Sequence, residues 1–553
     1  MRHLITLSSI FLTCGLNAQS PASNHAWLTT DNISVRITPT GIHADSSGGF
    51  LLNQPGGNTV NLLSHLTPWI VGEDPAGNLK AACELEDPDF SDWKPGFRGI
   101  PNSGKVWKLT NDQIAIHLAD FADNGVIDNP IPEIFAWPAR GNQYSLDFNG
   151  FAVPFEPPGL RLLAEFYDKN DNGMYDPQEG EYPVFAYPGT YRLAGDQIAY
   201  APFYSDALAI LTNGKTVQTE ARLLAATFAC NQQEFLENTV FMDYRFFYSD
   251  IEKVHSSVFS LFTDFDIGNP NDDYLGSTLP FSWSVYAYNS DTLFDVKTGA
   301  NPPMLSLNVF NSPVDTNGIY HGIYKFMPVH PGTQEYFADS PSYLSDFISY
   351  SSGYWRDGTP LTYGGLGHLG SSVTDWAYTS HPADPLGWSE LSANNTLEDR
   401  SALVSFDAVE LRPGEVKSIL FSLTASKEAG ISAQLNQMKE FKSLQDYLIY
   451  WYSFDSSFQM LCDPLETAEP SGNRMVIFPN PASDYFNIRS TGSPIKDIAL
   501  YDMLGRWIGN YKASLDMANT IRVEVAGMSP GVYMVSWRLQ DGKQGLGKVV
   551  VGR

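Results

Sequence analysis

The sequence predicts a mainly β, multi-domain chain. It has β-sandwich architecture interrupted by one inserted loop, a single helix near residues 430–461, and an immunoglobulin-like β-sandwich at the C-terminus. Three observations carry this expectation. Short runs alternate apolar and polar residues at period two. Gly and Pro, 45 and 36 in number, punctuate those runs densely. Apolar residues at the helical period are scarce outside 430–461, where Leu435, Met438, Phe441, Leu444, Leu448 and Trp451 recur at three and four. At 553 residues and 43% hydrophobic composition, the chain can bury a full core.

Taken in order, residues 1–18 (MRHLITLSSIFLTCGLNA) combine a basic Arg2, an apolar run and the small Ala18, the pattern of a secretory signal peptide. The run is too short to span a membrane, and no later stretch reaches about 18 apolar residues, so no transmembrane segment is expected. Lipidation at Cys14 is the weaker alternative, because Phe11-Leu12-Thr13 lacks the small residues expected there. Residues 19–160 form an N-terminal β-rich region. In it ISVRITPTG (Ile33 to Gly41) and KVWKLTNDQIAIHL (Lys105 to Leu118) read as half-buried strands, and DPAGN joins two strands within Leu62 to Ala82. The β-sandwich body is expected over 161–465. TVQTEARLLAATFAC and LENTVFMDYRFFYSD read as long antiparallel strands, and Ala402 to Ser426 as two strands around the turn RPGE. A polar linker at 466–474 leads to a C-terminal module, 475–553, with strands at MVIFP, YFNIRS, DIALYD, TIRVEVA, GVYMVSW and GKVVVG.

The inserted loop is FYDKNDNGMYDPQEGEYP, Phe166 to Pro183. Asp168, Asn170, Asn172, Gly173 and Glu179 match D-x-[DN]-x-[DN]-G-x5-E at every defined position. A hard cation needs six to eight oxygens, and short side chains on alternate residues of a tight loop supply them. Asp168, Asn170 and Asn172 offer side-chain oxygens, Met174 its carbonyl, Asp176 a direct or water-bridged contact, and Glu179 a bidentate carboxylate. The expected cofactor is therefore Ca2+. Pro177, Gly180 and Pro183 are poor openings for an exit helix, so the prediction is a calcium loop on a β scaffold and not an EF-hand. The competing reading is an Asx-rich turn that binds nothing.

A second acidic cluster, Asp264, Asp266, Asp272 and Asp273, sits in FTDFDIGNPNDDYLG. Four carboxylates so close repel unless a cation or water separates them. They are candidate metal ligands, or a catalytic carboxylate pair of the kind glycosidases use. The Gly-rich stretch at 351–370 lacks the phosphate-loop pattern, the histidines show no HExxH spacing, and no G-x-S-x-G elbow occurs. No catalytic residue is assigned. Net charge is −28, with 62 acidic against 34 basic residues, which excludes nucleic acid as a partner class and favours cations. Of four cysteines, Cys14 lies in the targeting segment. Cys83, Cys230 and Cys462 show no CxxC pair, which excludes a disulfide framework or zinc ribbon.

The C-terminal module resembles the type A sorting domain of the type IX secretion system of Bacteroidota, through FPNPASDYFNI (Phe478 to Ile488), IALYDMLGR (Ile498 to Arg506), MSPGVYMVSW (Met528 to Trp537) and the terminal GKVVVGR. The resemblance implies transport across the outer membrane by that machinery, with the product anchored at the cell surface or released. Much of residues 60–415 is similar to a family of large exported proteins carrying this domain, through WPARGN, DKNDNGMYDPQEGEYP, GDQIAY, DFDIGNPNDDYLG, YNSD, WRDGTPLTYGG, GWSE and EDRSALVS. That second resemblance implies export and no particular activity. Ser277 stands where a cysteine is expected in those relatives. The expected function is a calcium-binding, non-enzymatic surface or secreted protein that adheres to a glycan or surface protein. The alternative is a secreted hydrolase of polysaccharide or protein.

Overall fold

The computed structural model describes residues 22–426, apart from short stretches of which the longest are 290–302 and 315–321, and the strands of 475–551 with some of their connections. The expected signal peptide at 1–18, helix at 430–461 and linker at 466–474 lie outside the described residues, as do Cys14, Cys230 and Cys462. The chain divides into two compact units, Met1–Lys439 and Glu440–Arg553. Among the described residues no helix is long and apolar enough to cross a membrane.

The first unit is mainly β, as expected, and is built on two large sheets. One runs in the order Ala26–Thr29, Ile33–Ile37, Ile42–His43, Thr59–Glu73, Val254–Phe265, Arg400–Phe406 and Ile323–Val329. The other runs Asp273–Ser277, Ser284–Asn289, Met304–Asn311, Val416–Ser426, Thr239–Tyr248, Thr219–Thr227, Gln197–Ser205 and Trp93–Pro95, with Trp107–Thr110 also paired to Gln197–Ser205. The predicted antiparallel pair is present in full register, from Thr219 opposite Tyr248 to Thr227 opposite Val240. The turn DPAGN joins Thr59–Glu73 to Leu79–Ala82, also as expected.

One core draws on both sheets, from Ala26 to Ala425. Phe246 of one sheet meets Phe259 of the other with ring centroids 5.4 Å apart. The Tyr244 hydroxyl crosses to donate to the Thr40 carbonyl at 2.6 Å. Burying such rings supplies the main driving force for the layered packing. The chain changes sheet in the loop between Phe265 and Asp273, so the acidic cluster sits at a crossover.

Two local expectations are corrected. The alternation in Lys105–Leu118 is strand only over Trp107–Thr110; Asn111–Asn124 is a helix. Thr110 keeps extended backbone and its hydroxyl accepts the Gln113 N–H, while the Gln113 side chain accepts the Thr110 N–H. This reciprocal cap nucleates the helix, which buries Ile114 and His117 at helical spacing and ends on left-handed Gly125. Around RPGE there are two strands, Val409–Leu411 and Val416–Ser426, but they pair into different sheets and Arg400–Phe406 precedes them as a third.

The second unit has seven described strands in two sheets. One is Met475–Phe478, Tyr485–Ser490 and Thr520–Glu524. The other is Trp507–Lys512, Ile495–Asp502, Gly531–Leu539 and Gln544–Val551. Phe486, Ile488 and Val523 of the first share a core with Ile498, Leu500, Val535 and Val549 of the second. Trp507–Lys512 is a strand that the sequence reading passed over.

Candidate functional site

The loop after Phe166–Tyr167 folds on its own Asx side chains. Asp168 accepts the N–H of Asn172 at 3.1 Å through one oxygen and that of Gly173 at 2.7 Å through the other. Asn170 Oδ1 accepts the Asn172 N–H, and Asn172 Oδ1 accepts the Met174 N–H. Gly173 has φ +70, where a Cβ would be strained, so the glycine is required by the turn. Asp176 caps the short 3-10 helix Pro177–Glu179 by accepting the Gln178 N–H. The Glu179 carbonyl accepts from the Lys169 ammonium at 3.0 Å. The Met174 side chain lies against Gly141, where an added Cβ would fall 2.4 Å from its Cε.

Sequence reasoning missed Glu181, which lies two residues beyond the motif and is fully buried. Its carboxylate accepts the Lys169 N–H at 3.0 Å and the Asp176 N–H at 2.9 Å, tying the two ends of the loop together. Burial, with Asp168 and Asp176 nearby, raises its carboxyl above the ordinary range. The loop packs on helix Asn111–Asn124: the Lys169 ammonium stands 3.8 Å from the Phe121 ring centroid, and Gln178 donates to the Ile127 carbonyl. The oxygen-only donor set of Asp168, Asn170, Asn172, Asp176 and Glu179 suits a hard cation. Among the described residues, the acids whose carboxylate oxygens gather within 4.8 Å of one another are Asp120, Asp123 and Asp128, at and just beyond the C-terminal end of that helix; Asp168, Asp176 and Glu179 are not gathered in this way.

The four acids of the second cluster take different partners. Asp264 accepts from the Ser401 hydroxyl at 2.7 Å. Asp272 is held by the amides of Asn269 and Asn289, at 2.8 and 2.7 Å. Asp266 and Asp272 remain close enough to Asp273 to interact with it, and Asp399, remote in sequence, is a further neighbour. Burial, then the charges of Asp266, Asp272 and Asp399, push the Asp273 carboxyl well above the ordinary range.

A cleft of about 330 Å3 opens elsewhere on the nine-stranded sheet. Phe97, Phe155 and Phe247 border it, with Arg98, Glu156 and Glu220 as its charged groups. Phe155 is 88% exposed, so its ring face is open to a ligand. Glu156 is buried and accepts the Leu163 N–H at 2.9 Å; burial raises its carboxyl. The Glu156 carboxylate also interacts with the buried charges Arg222 and Glu165, and Arg222 pairs with Asp243 at 2.9 Å.

Between the sheets His43, His65 and Glu84 form a buried polar cluster. His43 Nε2 lies 3.3 Å from Glu84 Oε1, and the two imidazoles meet edge to face at 4.5 Å. Burial pushes His43 down to about 3, with Arg36 adding to it, and Glu84 up to about 8. Both groups are therefore neutral near pH 6. Unfolded glutamate releases its proton near about pH 4.3, so the stability from Glu84 is full below that and is lost as pH rises to 8. Unfolded histidine takes up its proton near about pH 6.5, so the stability from His43 is lost as pH falls from there to 3. The two slopes cancel between about pH 4.3 and 6.5. Glu84→Gln is expected to abolish the cluster's share of the decline in urea midpoint between pH 6.5 and 8 and to extend the His43 acid limb up to about pH 6.5; an unaltered alkaline decline would contradict this assignment.

The secretion system C-terminal sorting domain family matches residues 476–552. The C-terminal module is a type IX sorting domain. A chain bearing this sorting domain engages the type IX machinery and is exported, to be secreted or attached to the cell surface. No curated protein matches the chain. Solved structures similar to it include a polysaccharide lyase, at 12% identity, TM-score 0.19, covering 60% of this chain and 34% of that one. This chain thus spans about a third of the lyase's length. CopC from Methylosinus trichosporium OB3b matches at 17% identity and TM-score 0.12, over 14% of this chain and 93% of that one. Latent PorU from Porphyromonas gingivalis matches at 12% identity and TM-score 0.12, over 66% and 28% respectively. Likenesses this slight carry no argument about the body that the sorting domain exports.

Proposed function

We propose that the exported body is a non-enzymatic binding protein of the cell surface or its surroundings, stabilised by calcium in the loop Asp168–Glu179. The observation that carries the calcium is the loop itself. Asp168 closes it onto Asn172 and left-handed Gly173, which keeps the oxygens of Asp168, Asn170 and Asn172 on one turn. Glu181 and the Phe121 face of the neighbouring helix hold that turn against the body. Calcium content of the purified protein tests it: one ion is expected in this loop, lost from Asp168→Ala/Glu179→Ala, and an equal content in the folded variant overturns it.

The ligand class is a glycan, seated in the Phe97–Phe155–Phe247 cleft, where rings stack on sugar faces and Arg98, Glu156 and Glu220 accept or donate hydrogen bonds. Phe155→Ala is expected to weaken binding of a soluble polysaccharide about tenfold, for the loss of about 1.4 kcal/mol of ring contact. Affinity electrophoresis reads this, and equal retardation of both proteins contradicts it. One observation favours hydrolysis as a second reading: Glu156 and Glu220 share that cleft, and a raised Glu156 is suited to general acid work. Release of reducing ends that disappears in Glu156→Gln would establish it in place of simple binding.

A further inference from the structure

The crossover between the two large sheets holds charge that the protein itself leaves incompletely paired. Asp273 is fully buried; its Oδ2 accepts the Ile267 N–H at 3.2 Å, and its Oδ1 has no hydrogen-bond partner. Asp266 Oδ2 accepts from Asn61 at 2.9 Å and from the Ser64 hydroxyl at 2.6 Å, while its buried Oδ1 also has no partner. Both residues lie at the ends of the same short connection, which leaves Val254–Phe265 in one sheet and enters Asp273–Ser277 in the other. Asp273 further forms a backbone bridge with Glu398, which adjoins Asp399 and precedes strand Arg400–Phe406. A buried carboxylate oxygen with no donor is costly, and two such oxygens in mutual repulsion are costlier. The other acids of this stretch show what satisfaction looks like here, since Asp264 and Asp272 have been given hydroxyl and amide donors.

We propose that the unpartnered oxygens of Asp266 and Asp273 hold a divalent cation of the calcium type, which locks the crossover between the sheets. Oxygen-only carboxylate donors suit a hard cation, with backbone carbonyls and water as the remaining ligands. The site is independent of the loop at Asp168–Glu179: it narrows the four acids of the cluster to two. A proton shared between Asp266 and Asp273 is the competing way to relieve the repulsion.

Calcium bound per full-length chain, counted by equilibrium dialysis with radioactive calcium, tests the proposal in three proteins. The wild type is expected to bind one ion more than Asp266→Asn/Asp273→Asn. In the Asp168→Ala/Glu179→Ala background one high-affinity ion is expected to remain, and adding Asp266→Asn is expected to remove it. If the loop variant binds as many ions as the wild type, the loop reading fails while this one stands. Equal binding by the wild type and the crossover variant overturns it. So does the absence of a residual ion in the loop background, a readout that needs no substitution at Asp273 and survives misfolding of the double variant. A shared proton would show as equal binding and, in the Asp168→Ala/Glu179→Ala background, as a melting temperature that falls with rising pH and ignores chelator.

Discussion

Glu390→Ala is expected to destabilise the body by about 3 kcal/mol, because it leaves a buried guanidinium with only the half-buried Glu398 carboxylate, at 3.6 Å, as counter-charge. Arg400 and Glu390 are both fully buried. Arg400 Nε reaches the two oxygens of Glu390 at 3.2 and 3.1 Å, and its Nη2 reaches Oε2 at 3.1 Å. Arg400 also donates to the carbonyls of Thr396 and Asp399. Glu390 in turn accepts the Leu275 N–H at 2.9 Å and the Asn395 amide at 3.2 Å. One carboxylate thus joins strand Asp273–Ser277 of one sheet to strand Arg400–Phe406 of the other. Denaturant midpoints check the size of the effect, and a change below about 1 kcal/mol would mean that water reaches Arg400. Replacing both partners by apolar residues is expected to recover most of the loss, since the penalty comes from the unpaired charge and not from the absent bond.

Asp168→Ala/Glu179→Ala is expected to remove the loop's share of the melting-temperature response to chelator, leaving that of the crossover ion, and to lower stability in saturating calcium. A ligand at a hundredfold its dissociation constant contributes about 2.7 kcal/mol, RT ln(1 + [L]/Kd). At the usual unfolding entropy per residue, a body of this size converts that into a shift of about 3 °C. Differential scanning calorimetry with and without chelator reads both parts. A variant that keeps the full wild-type chelator response would show that the loop holds no ion, leaving the crossover at Asp266 and Asp273 as the source of that response.

The long strands were legible because burial on one or both faces writes itself into alternation, as in Thr219–Thr227 and Thr239–Tyr248. Helix Asn111–Asn124 was misread because alternation through Lys105–Leu118 suits either element over a few residues. The deciding signal, Thr110 with Gln113 three residues on, was present and is a helix start. The loop's Asx turn was readable, being local. Glu181 was not, because its partners are backbone N–H groups that only the folded turn brings to it. The acidic cluster shows the same limit: the donors that satisfy Asp264 and Asp272 include Ser401 and Asn289, and the neighbour Asp399 is far along the chain. Non-local pairing decides which of these acids gain donors, and no local pattern encodes it.

The measurement that tests the calcium account most directly is a melting curve of the purified protein in calcium and in excess chelator, with metal content determined on the same sample. Bound calcium and a lower melting temperature in chelator are expected. Metal-free protein with superimposable curves would contradict this and return the loop at Asp168 to a self-sufficient Asx turn.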